Sequence, residues 1–418
     1  MTRGTLKSAM VAMAASVAVM SAAQAGGLER GGYNIDQLFD TSRFSTDATA
    51  VYVSPQRKLR NAVDTNATNG LGSNGIGGGT TTANDTEAYW VPRIGFKASI
   101  GGAIDCLGDY SQPYGAHSAP GANWVGANSN IETKIDSDSF AATCSYKVDA
   151  GKGQFRVIGG ISHLEVSGFK TRLVAPIPGG GVGRLSLSGT GVGWRAGVAY
   201  EVPDIALRAS LMYYSEVELD NVTGTLDLTQ LPVGLGGNPL AGRSTSVFGS
   251  TAMPDALELK LQSGVAPGWL VFGSVKWVDW SQLQTVAFCP TATRALGCTF
   301  GAANQATSLD LLYRDGWTVT GGVGHKFNDK FSGSAAITWD RGTSTGIGTQ
   351  TDTWTFGAGA AYTPNENVQI RFGGALGVLT SGSSGTVTNS QGTFGNDVSY
   401  SFGNDLVAAI SLGAKIKF

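Results

Sequence analysis

The sequence is poor in charge, in histidine and in long apolar runs. Only 14% of its 418 residues are charged, whereas soluble domains carry nearer a quarter. No apolar run after residue 25 is long enough to cross a bilayer as a helix. The net charge of −2 gives no reason to expect a nucleic-acid partner. None of the three histidines has metal-ligand spacing to a cysteine, so no metal or cofactor is expected.

Catalytic groups are equally scarce. Ser162 and His163 are neighbours, so in a strand they point to opposite faces. His117 falls in a predicted loop and His325 at a predicted tight turn. A serine hydrolase needs a nucleophile, a histidine base and an orienting acid together. The sequence therefore predicts no enzyme.

What is abundant is glycine, with 61 residues, together with 9% aromatic residues. This composition fits an all-β protein. Apolar residues alternate with small or charged ones in segment after segment, as in "WRAGVAY", "ALELKLQ" and "DTWTFGAGAAY". A period of two with one apolar face indicates a β-strand. In water that face needs a partner sheet, but in a membrane it faces lipid while the other face lines a lumen.

Turn lengths favour the membrane interpretation. Six tight links alternate with seven longer polar connections, which together join fourteen strands. The tight links are "KASIGG", "DAGKGQ", "EVPDI", "APGW", "KFNDKF" and "TPNEN". Short turns on one side and long loops on the other are typical of outer-membrane barrels. We therefore predict a 14-stranded antiparallel transmembrane β-barrel. A secreted β-sandwich or repeat array is the alternative.

Both chain ends agree with export to the bacterial outer membrane. Arg3 and Lys7 precede an apolar run that ends in Ala23-Gln24-Ala25, which predicts a signal peptide over 1–25. A membrane anchor is the alternative interpretation of this segment. The last strand ends on Phe418, and an aromatic carboxyl terminus resembles the assembly signal of outer-membrane proteins.

The four cysteines fit an oxidising compartment. Cys289 and Cys298 bracket a short loop that a disulfide could close. Cys106 and Cys144 would form a second pair across neighbouring strands. Inert buried thiols remain the alternative to both disulfides.

Several segments resemble the FadL/TodX family of outer-membrane transporters for long-chain fatty acids and other hydrophobic compounds. The resemblance rests on "YYSEVELDNVTG", on "MPDALELKLQSGVAPGWLVFGSVKWVDWSQLQ" and on "YWVPRIGF", and it covers about residues 86–418. It implies a fourteen-stranded barrel with a small amino-terminal hatch in the lumen. It also implies passive uptake of a hydrophobic ligand, which binds in the lumen and leaves sideways where the third strand is kinked. On this basis residues 26–43 are the expected hatch and 44–418 the expected barrel.

The resemblance places the kink at Tyr114-Gly115, with Pro113 beside it, in a third strand over about 102–115. Proline has no backbone N–H and interrupts a ladder, and Gly115 would permit the backbone angles of a bulge. The alternative is that these residues begin an external loop.

The resemblance also suggests Lys170, with Arg172 close by, as ligand head-group residues. A second basic residue expected after the "DWSQLQ" motif is replaced by Ala287. This replacement makes a neutral ligand such as an aromatic hydrocarbon a serious alternative to a fatty acid. A general porin is a further alternative.

The hatch departs from the family pattern, because it is short and lacks an N-P-A motif. We expect one of two arrangements for its charged residues: they pair with charges of the lumen, or they belong to a solvated tether. Eight barrel charges are expected on faces turned away from lipid: Arg195, Arg208, Glu216, Glu218, Glu258, Lys260, Lys276 and Arg371. The expected partners are a hydrophobic small molecule, outer-membrane lipid and the assembly machinery, and the resemblance implies a monomer.

Overall fold

The computed structural model describes residues 26–32, 34–66, 79–175, 177 and 181–418. The predicted signal peptide, 1–25, lies outside these residues. Within them, fourteen antiparallel strands form a closed barrel, as the sequence predicts. The first strand pairs with the last, from Ser45 opposite Lys417 to Pro55 opposite Val407. This pairing removes the open edge that would leave unpaired amides in hydrocarbon.

The barrel strands are labelled here in chain order, and five of them are interrupted. Their bounds are β1 Phe44–Pro55, β2 Tyr89–Ile100, β3 Ile104–Ser111 and Gly115–Ser118, β4 Glu132–Ala150, β5 Gly153–Leu173, β6 Val182–Val202, β7 Leu207–Tyr214 and Val217–Asp227, β8 Ser244–Met253 and Ala256–Ala266, β9 Trp269–Val278 and Thr285–Pro290, β10 Thr307–Asp310 and Gly316–Lys326, β11 Phe331–Asp340, β12 Thr353–Asn365, β13 Val368–Leu379, and β14 Asp405–Lys417.

Connection lengths alternate as the sequence predicts. On one side the turns are two to four residues long, for example 101–103, 151–152 and 366–367. The connections on the other side are longer. Short strands in and beside them form a four-stranded sheet from Lys58–Asp64, Ala83–Asn84, Gly382–Ser384 and Val398–Phe402. No helix among the described residues is long and apolar enough to span a membrane.

The two faces of the wall differ as expected. In β14, Ile410 is 62% exposed and Leu412 is 55% exposed on the outer face, while Lys415 is buried inside. Outward apolar residues recur around the barrel and form a belt that suits lipid.

Two of the predicted inward charges are placed wrongly by the sequence analysis. Glu216 and Glu218 are exposed on the outer surface, and Val217 and Leu219 are buried instead. The reason is the interruption of β7 between Tyr214 and Val217, which shifts the alternation by one residue. A one-residue shift exchanges the two faces of a strand.

The segment before β1 lies in the lumen. Its 3-10 helix, Ile35–Phe39, is capped by the Asn34 side chain, which accepts from the backbone N–H of Asp36. Leu38 is fully buried in a cluster with barrel residues that include Leu107 and Met212. The apolar side of this short helix thus packs on the inner wall.

Candidate functional site

The third strand is broken at the predicted kink. Pairing between β2 and β3 ends at Arg93 opposite Ser111. The chain resumes as a strand at Gly115, but Gly115–Ser118 pairs with β4 and not with β2. Residues 89–92 of β2 pair only with β1. In the described structure backbone pairing is therefore missing between 89–92 and 112–116, and this gap in the ladder ends at the bridge between Thr86 and Ser118.

Local chemistry explains why the ladder stops here. Pro113 offers no N–H to a neighbouring strand. The Ser137 hydroxyl accepts from the Tyr114 N–H at 2.8 Å and donates to the Tyr114 carbonyl at 2.7 Å. The broken strand is thereby held against β4 while its other edge is left open. Because the strand resumes beyond Tyr114, these residues lie within β3 and do not begin the external loop.

Gly115 has a different role from the one expected. It does not adopt the left-handed backbone conformation, so a bulge angle is not what requires glycine. A methyl group at this position would overlap the Arg30 guanidinium. The glycine therefore makes room for an arginine from the segment before β1.

That segment lies along the open edge of β3. The Arg30 N–H donates to the Pro113 carbonyl at 2.7 Å, and the Gly115 N–H donates to the Leu28 carbonyl at 2.8 Å. Glu29 thus lies opposite Tyr114 in an antiparallel bridge. The segment supplies the hydrogen bonds that β2 does not supply.

Above this point the lumen is apolar and aromatic. Trp280, from the "DWSQLQ" motif, is fully buried and meets Tyr114 and Tyr313 edge-on, each with ring centroids 6.0 Å apart. A methyl group at Gly27 would overlap the Trp280 indole. These rings belong to one large cluster that includes Leu28, Leu164, Leu185, Val217, Leu219, Val247, Met253, Phe288 and Tyr313. A hydrophobic ligand would be out of water throughout this region.

A cavity of about 220 Å³ lies next to the kink, lined by both the segment and the barrel. Pro113 and Tyr114 form part of its wall. Eight charged residues around it form four ion pairs: Lys276 with Glu29, Arg195 with Asp109 at 2.9 Å, Arg208 with Asp36 at 3.5 Å, and Lys260 with Glu258 at 3.4 Å. Of the two alternatives for the segment, pairing with lumen charges is what Glu29 and Asp36 show, whereas the other two pairs join barrel residues to each other.

The two head-group candidates lie at the outer end of β5. The outward face of β5 is apolar as far as Ile161 and then turns polar at His163 and Glu165, so Lys170 lies beyond the lipid belt. Arg172 pairs with Asp397 at 3.5 Å. The Lys170 side chain has no hydrogen bond or ion pair with another described residue, and the carboxylates that act on its charge are Asp310 and Asp397. Burial, together with the nearby Arg172 charge, lowers the pKa of Lys170 to about 8.

The end of the lumen near the short turns is filled by buried ion pairs. Asp105 meets Lys97 at 2.9 Å, Lys147 at 3.2 Å and Arg156 at 2.6 Å. The carboxylate of Asp40, just after the 3-10 helix, pairs with Lys415 of β14. Asp40 thus ties the segment before β1 to β14, and ion pairs among barrel strands occupy the same end of the lumen.

The cysteines are joined as two disulfides in the structure. Cys106 of β3 is bonded to Cys144 of β4, and Cys289 is bonded to Cys298 in the loop after β9. In the described part of the chain, no group of three or more His, Cys, Asp or Glu residues is placed to hold a metal ion.

Sequence reasoning did not find the contacts of Arg30 and Ser137. Both contacts join residues far apart in the chain, and neither residue lies in a motif. The glycine at 115 was the one available signal, since a strand glycine marks a close approach.

Comparisons with known proteins agree with this architecture. The family model described as "Outer membrane protein transport protein (OMPP1/FadL/TodX)" matches residues 7–417. The long-chain fatty acid transport protein of Salmonella typhi is 24% identical over 315 residues, which cover 68% of each chain. The protein of the same description from Escherichia coli (strain K12) is 23% identical over 373 residues, or 80% of this chain and 78% of the relative.

Solved structures share the fold. A FadL homologue from Pseudomonas aeruginosa superimposes with a TM-score of 0.74 at 18% identity, covering 91% of each chain. The toluene transporter TodX of Pseudomonas putida gives a TM-score of 0.59 at 15% identity, covering 96% of this chain and 98% of the other.

Proposed function

Because the chain belongs to the OMPP1/FadL/TodX family of outer membrane transport proteins, we propose that it carries long-chain fatty acids through the gap beside β3 into the bilayer. Transport of hydrophobic compounds across the outer membrane follows from the family. The fatty acid as ligand and the lateral route of exit are the proposal. The observation that carries the route is the break in β2–β3 pairing at Pro113, Tyr114 and Gly115.

The gap is suited to a lateral exit because it adjoins the apolar part of the lumen. Tyr114 lies at the broken strand and also packs in the large apolar cluster. A tail held there stays out of water until it reaches lipid. Burial of apolar surface is worth about 25 cal/mol per Å², so an exit into water would cost that amount again.

The ion pairs at the short-turn end of the lumen support the same route. A ligand moving straight through would have to pass the ion pairs around Asp105 and Asp40. Separating buried ion pairs costs several kcal/mol for each charge. The lateral route requires the short segment Leu28–Arg30 to move aside. This movement separates Glu29 from Lys276 and Arg30 from Asp136, but it leaves the ion pairs around Asp105 and Asp40 intact.

Lys170 supports an anionic ligand. It is a half-buried cation whose side chain has no described hydrogen-bond partner, at the outer end of β5 and beside Arg172. A buried charge without a partner is costly, and a ligand carboxylate would relieve that cost. Two relatives are long-chain fatty acid transport proteins, which agrees with this choice.

Neutral aromatic hydrocarbons are the second candidate. Tyr114, Trp280 and Tyr313 present aromatic rings to the lumen, and such rings stack on aromatic ligands. Ala287, where a second cation was expected, is buried and apolar. One of the structures with the same fold is a toluene transporter.

Uptake into cells that lack their own transporter separates the candidates. Cells expressing the full chain would receive radiolabelled oleate, toluene or sucrose in parallel. We expect oleate uptake above the empty-vector level, with no gain for sucrose. Toluene uptake without oleate uptake would favour the second candidate, and equal gains for all three would indicate a general porin.

Several parts of the proposal concern the rest of the chain. We expect residues 1–25 to be removed on export, residues 26–43 to act as the hatch, and residues 44–418 to be the barrel. Phe418 is the proposed contact for the outer-membrane assembly machinery, and the protein is proposed to act as a monomer without a cofactor.

A further inference from the structure

We propose that Arg30 is a binding site for the anionic head group of a departing ligand, located in the lateral gap itself. The inference rests on the proposed function and adds to it a second site, distinct from Lys170. It also specifies the ligand class at the gap as an amphiphile with an anionic head.

The first observation is where the Arg30 side chain lies. Its guanidinium stacks over the Tyr89 ring of β2, with Cζ 4.2 Å from the ring centroid. It occupies the space above Gly115 of β3. One side chain thus touches both strands that border the gap. A molecule leaving through the gap must pass the guanidinium or displace it.

The second observation is that the charge of Arg30 is only weakly compensated. Arg30 is 4% exposed, and its one described carboxylate contact is with Asp136 at 3.3 Å. Asp136 lies closer to Lys134, at 2.8 Å, and is itself 36% exposed. The Arg30 Nε–H is buried without a hydrogen-bond partner in the described structure. Arginine binds carboxylates best through two parallel N–H donors, and here one donor is unused.

The third observation is how the backbone around Arg30 is held. Its N–H donates to the Pro113 carbonyl at 2.7 Å, and its carbonyl accepts from Arg93 Nη2 at 3.0 Å. The base of the side chain is therefore fixed at the kink, while the guanidinium is held by one long ion pair and one ring. A ligand carboxylate would supply the missing acceptor for Nε. It would compete with Asp136 and draw the guanidinium away from the gap.

Equilibrium dialysis of the purified full chain in micelles tests the site. The probes are radiolabelled laurate and dodecanol, which share a tail length and differ in head charge. Two variants change the proposed site, Arg30→Gln and Arg30→Lys, and Arg43→Gln is the matched control. All three are made in the Lys170→Met background, so that laurate bound at Lys170 does not mask binding at Arg30. Arg43 is an exposed arginine of the same segment, away from the gap. Heat-modifiable gel mobility checks that each barrel is folded.

We expect Arg30→Gln to weaken laurate binding about tenfold or more, since a charge-assisted hydrogen bond is lost. Dodecanol binding should not change, Arg30→Lys should retain part of the laurate affinity, and Arg43→Gln should behave as the parent. Equal weakening of both probes would overturn the proposal, because Arg30 would then only shape the gap. Unchanged laurate binding in Arg30→Gln would overturn it as well.

Oleate uptake by the natural chain and by Arg30→Gln with Lys170 intact separates this inference from the proposed function. Laurate binding that depends on Arg30, in a protein that transports no oleate, would support the site and contradict the proposed function. Oleate uptake with laurate binding indifferent to Arg30 would support the function and overturn the site.

Discussion

Replacing Lys170 with methionine should change both the stability and the ligand affinity of the barrel in a pH-dependent way. Burial lowers the pKa of Lys170 from 10.5 to about 8 in the folded protein. Methionine keeps the apolar stem and removes the charge.

The sign for stability follows from proton binding. Below pH 8 both folded and unfolded chains carry the lysine proton, and the folded state bears the full cost of a buried charge. Between the two pKa values, about 8 and 10.5, the unfolded chain binds more protons, so the free energy of unfolding rises with pH. The rise is at most about 3.5 kcal/mol, since the pKa difference of about 2.5 units contributes about 1.4 kcal/mol per unit. Lys170→Met should therefore be more stable than the natural chain at neutral pH, and the difference should vanish near pH 10.5.

Ligand binding should show the opposite dependence. A carboxylate pairs with protonated Lys170, so laurate affinity should be highest below pH 8 and fall above it. A charge-assisted hydrogen bond of about 1.5–3 kcal/mol corresponds to about a ten- to hundredfold loss. Lys170→Met should bind laurate weakly and show no such fall.

The assays are urea unfolding in micelles, followed by tryptophan fluorescence from pH 7 to 10.5, and equilibrium dialysis with laurate over the same range. The other lysines titrate alike in the variant and in the natural chain. The difference between the two chains in unfolding free energy and in laurate affinity therefore reports Lys170 alone. The reasoning is refuted if Lys170→Met shows the same pH slopes as the natural chain in both assays.

Three further predictions concern the walls of the lumen. Trp280→Ala should lower the free energy of unfolding by about 3–5 kcal/mol in urea, because it empties a fully buried site; a loss below about 1 kcal/mol would contradict the packing described. Asp105→Asn should lower the free energy of unfolding by about 3–5 kcal/mol, because three cations lose a buried carboxylate. Single-channel conductance should increase in the same variant. Unchanged stability and conductance would show that ion pairs do not hold this end of the barrel. Gly115→Ala should displace Arg30 and loosen the segment that carries it. A cysteine introduced by Leu28→Cys should then react faster with maleimide than the same cysteine beside Gly115. Equal labelling rates in the two chains would mean that the close approach of Arg30 to Gly115 is not required.

The wall of the barrel could be predicted from sequence because its determinants are local. Alternation places Ile410 and Leu412 outside, and glycine and proline mark the tight turns. Alternation gave the wrong face for Glu216 and Glu218, because it assumes an uninterrupted strand. The interruption of β7 moves each following side chain to the opposite face. The contact between Arg30 and Gly115 joins two distant segments, and no periodicity encodes it.

We propose that ligand leaves past the segment that lies along the open edge of β3. Glu29 and Tyr114 face each other across that edge as a non-hydrogen-bonded antiparallel pair. The Cα atoms of such pairs lie about 4.5 Å apart, within the range that a disulfide spans. The double variant Glu29→Cys with Tyr114→Cys should therefore lock the segment to the strand.

The most direct test is radiolabelled oleate uptake by cells that express this double variant, oxidised and then reduced. The reduced double variant is the baseline, and the natural chain and both single variants receive the same treatments as controls. We predict that oxidation abolishes uptake in the double variant alone and that reduction restores it. Oleate uptake at the same rate in the locked and reduced states would contradict an exit through this gap.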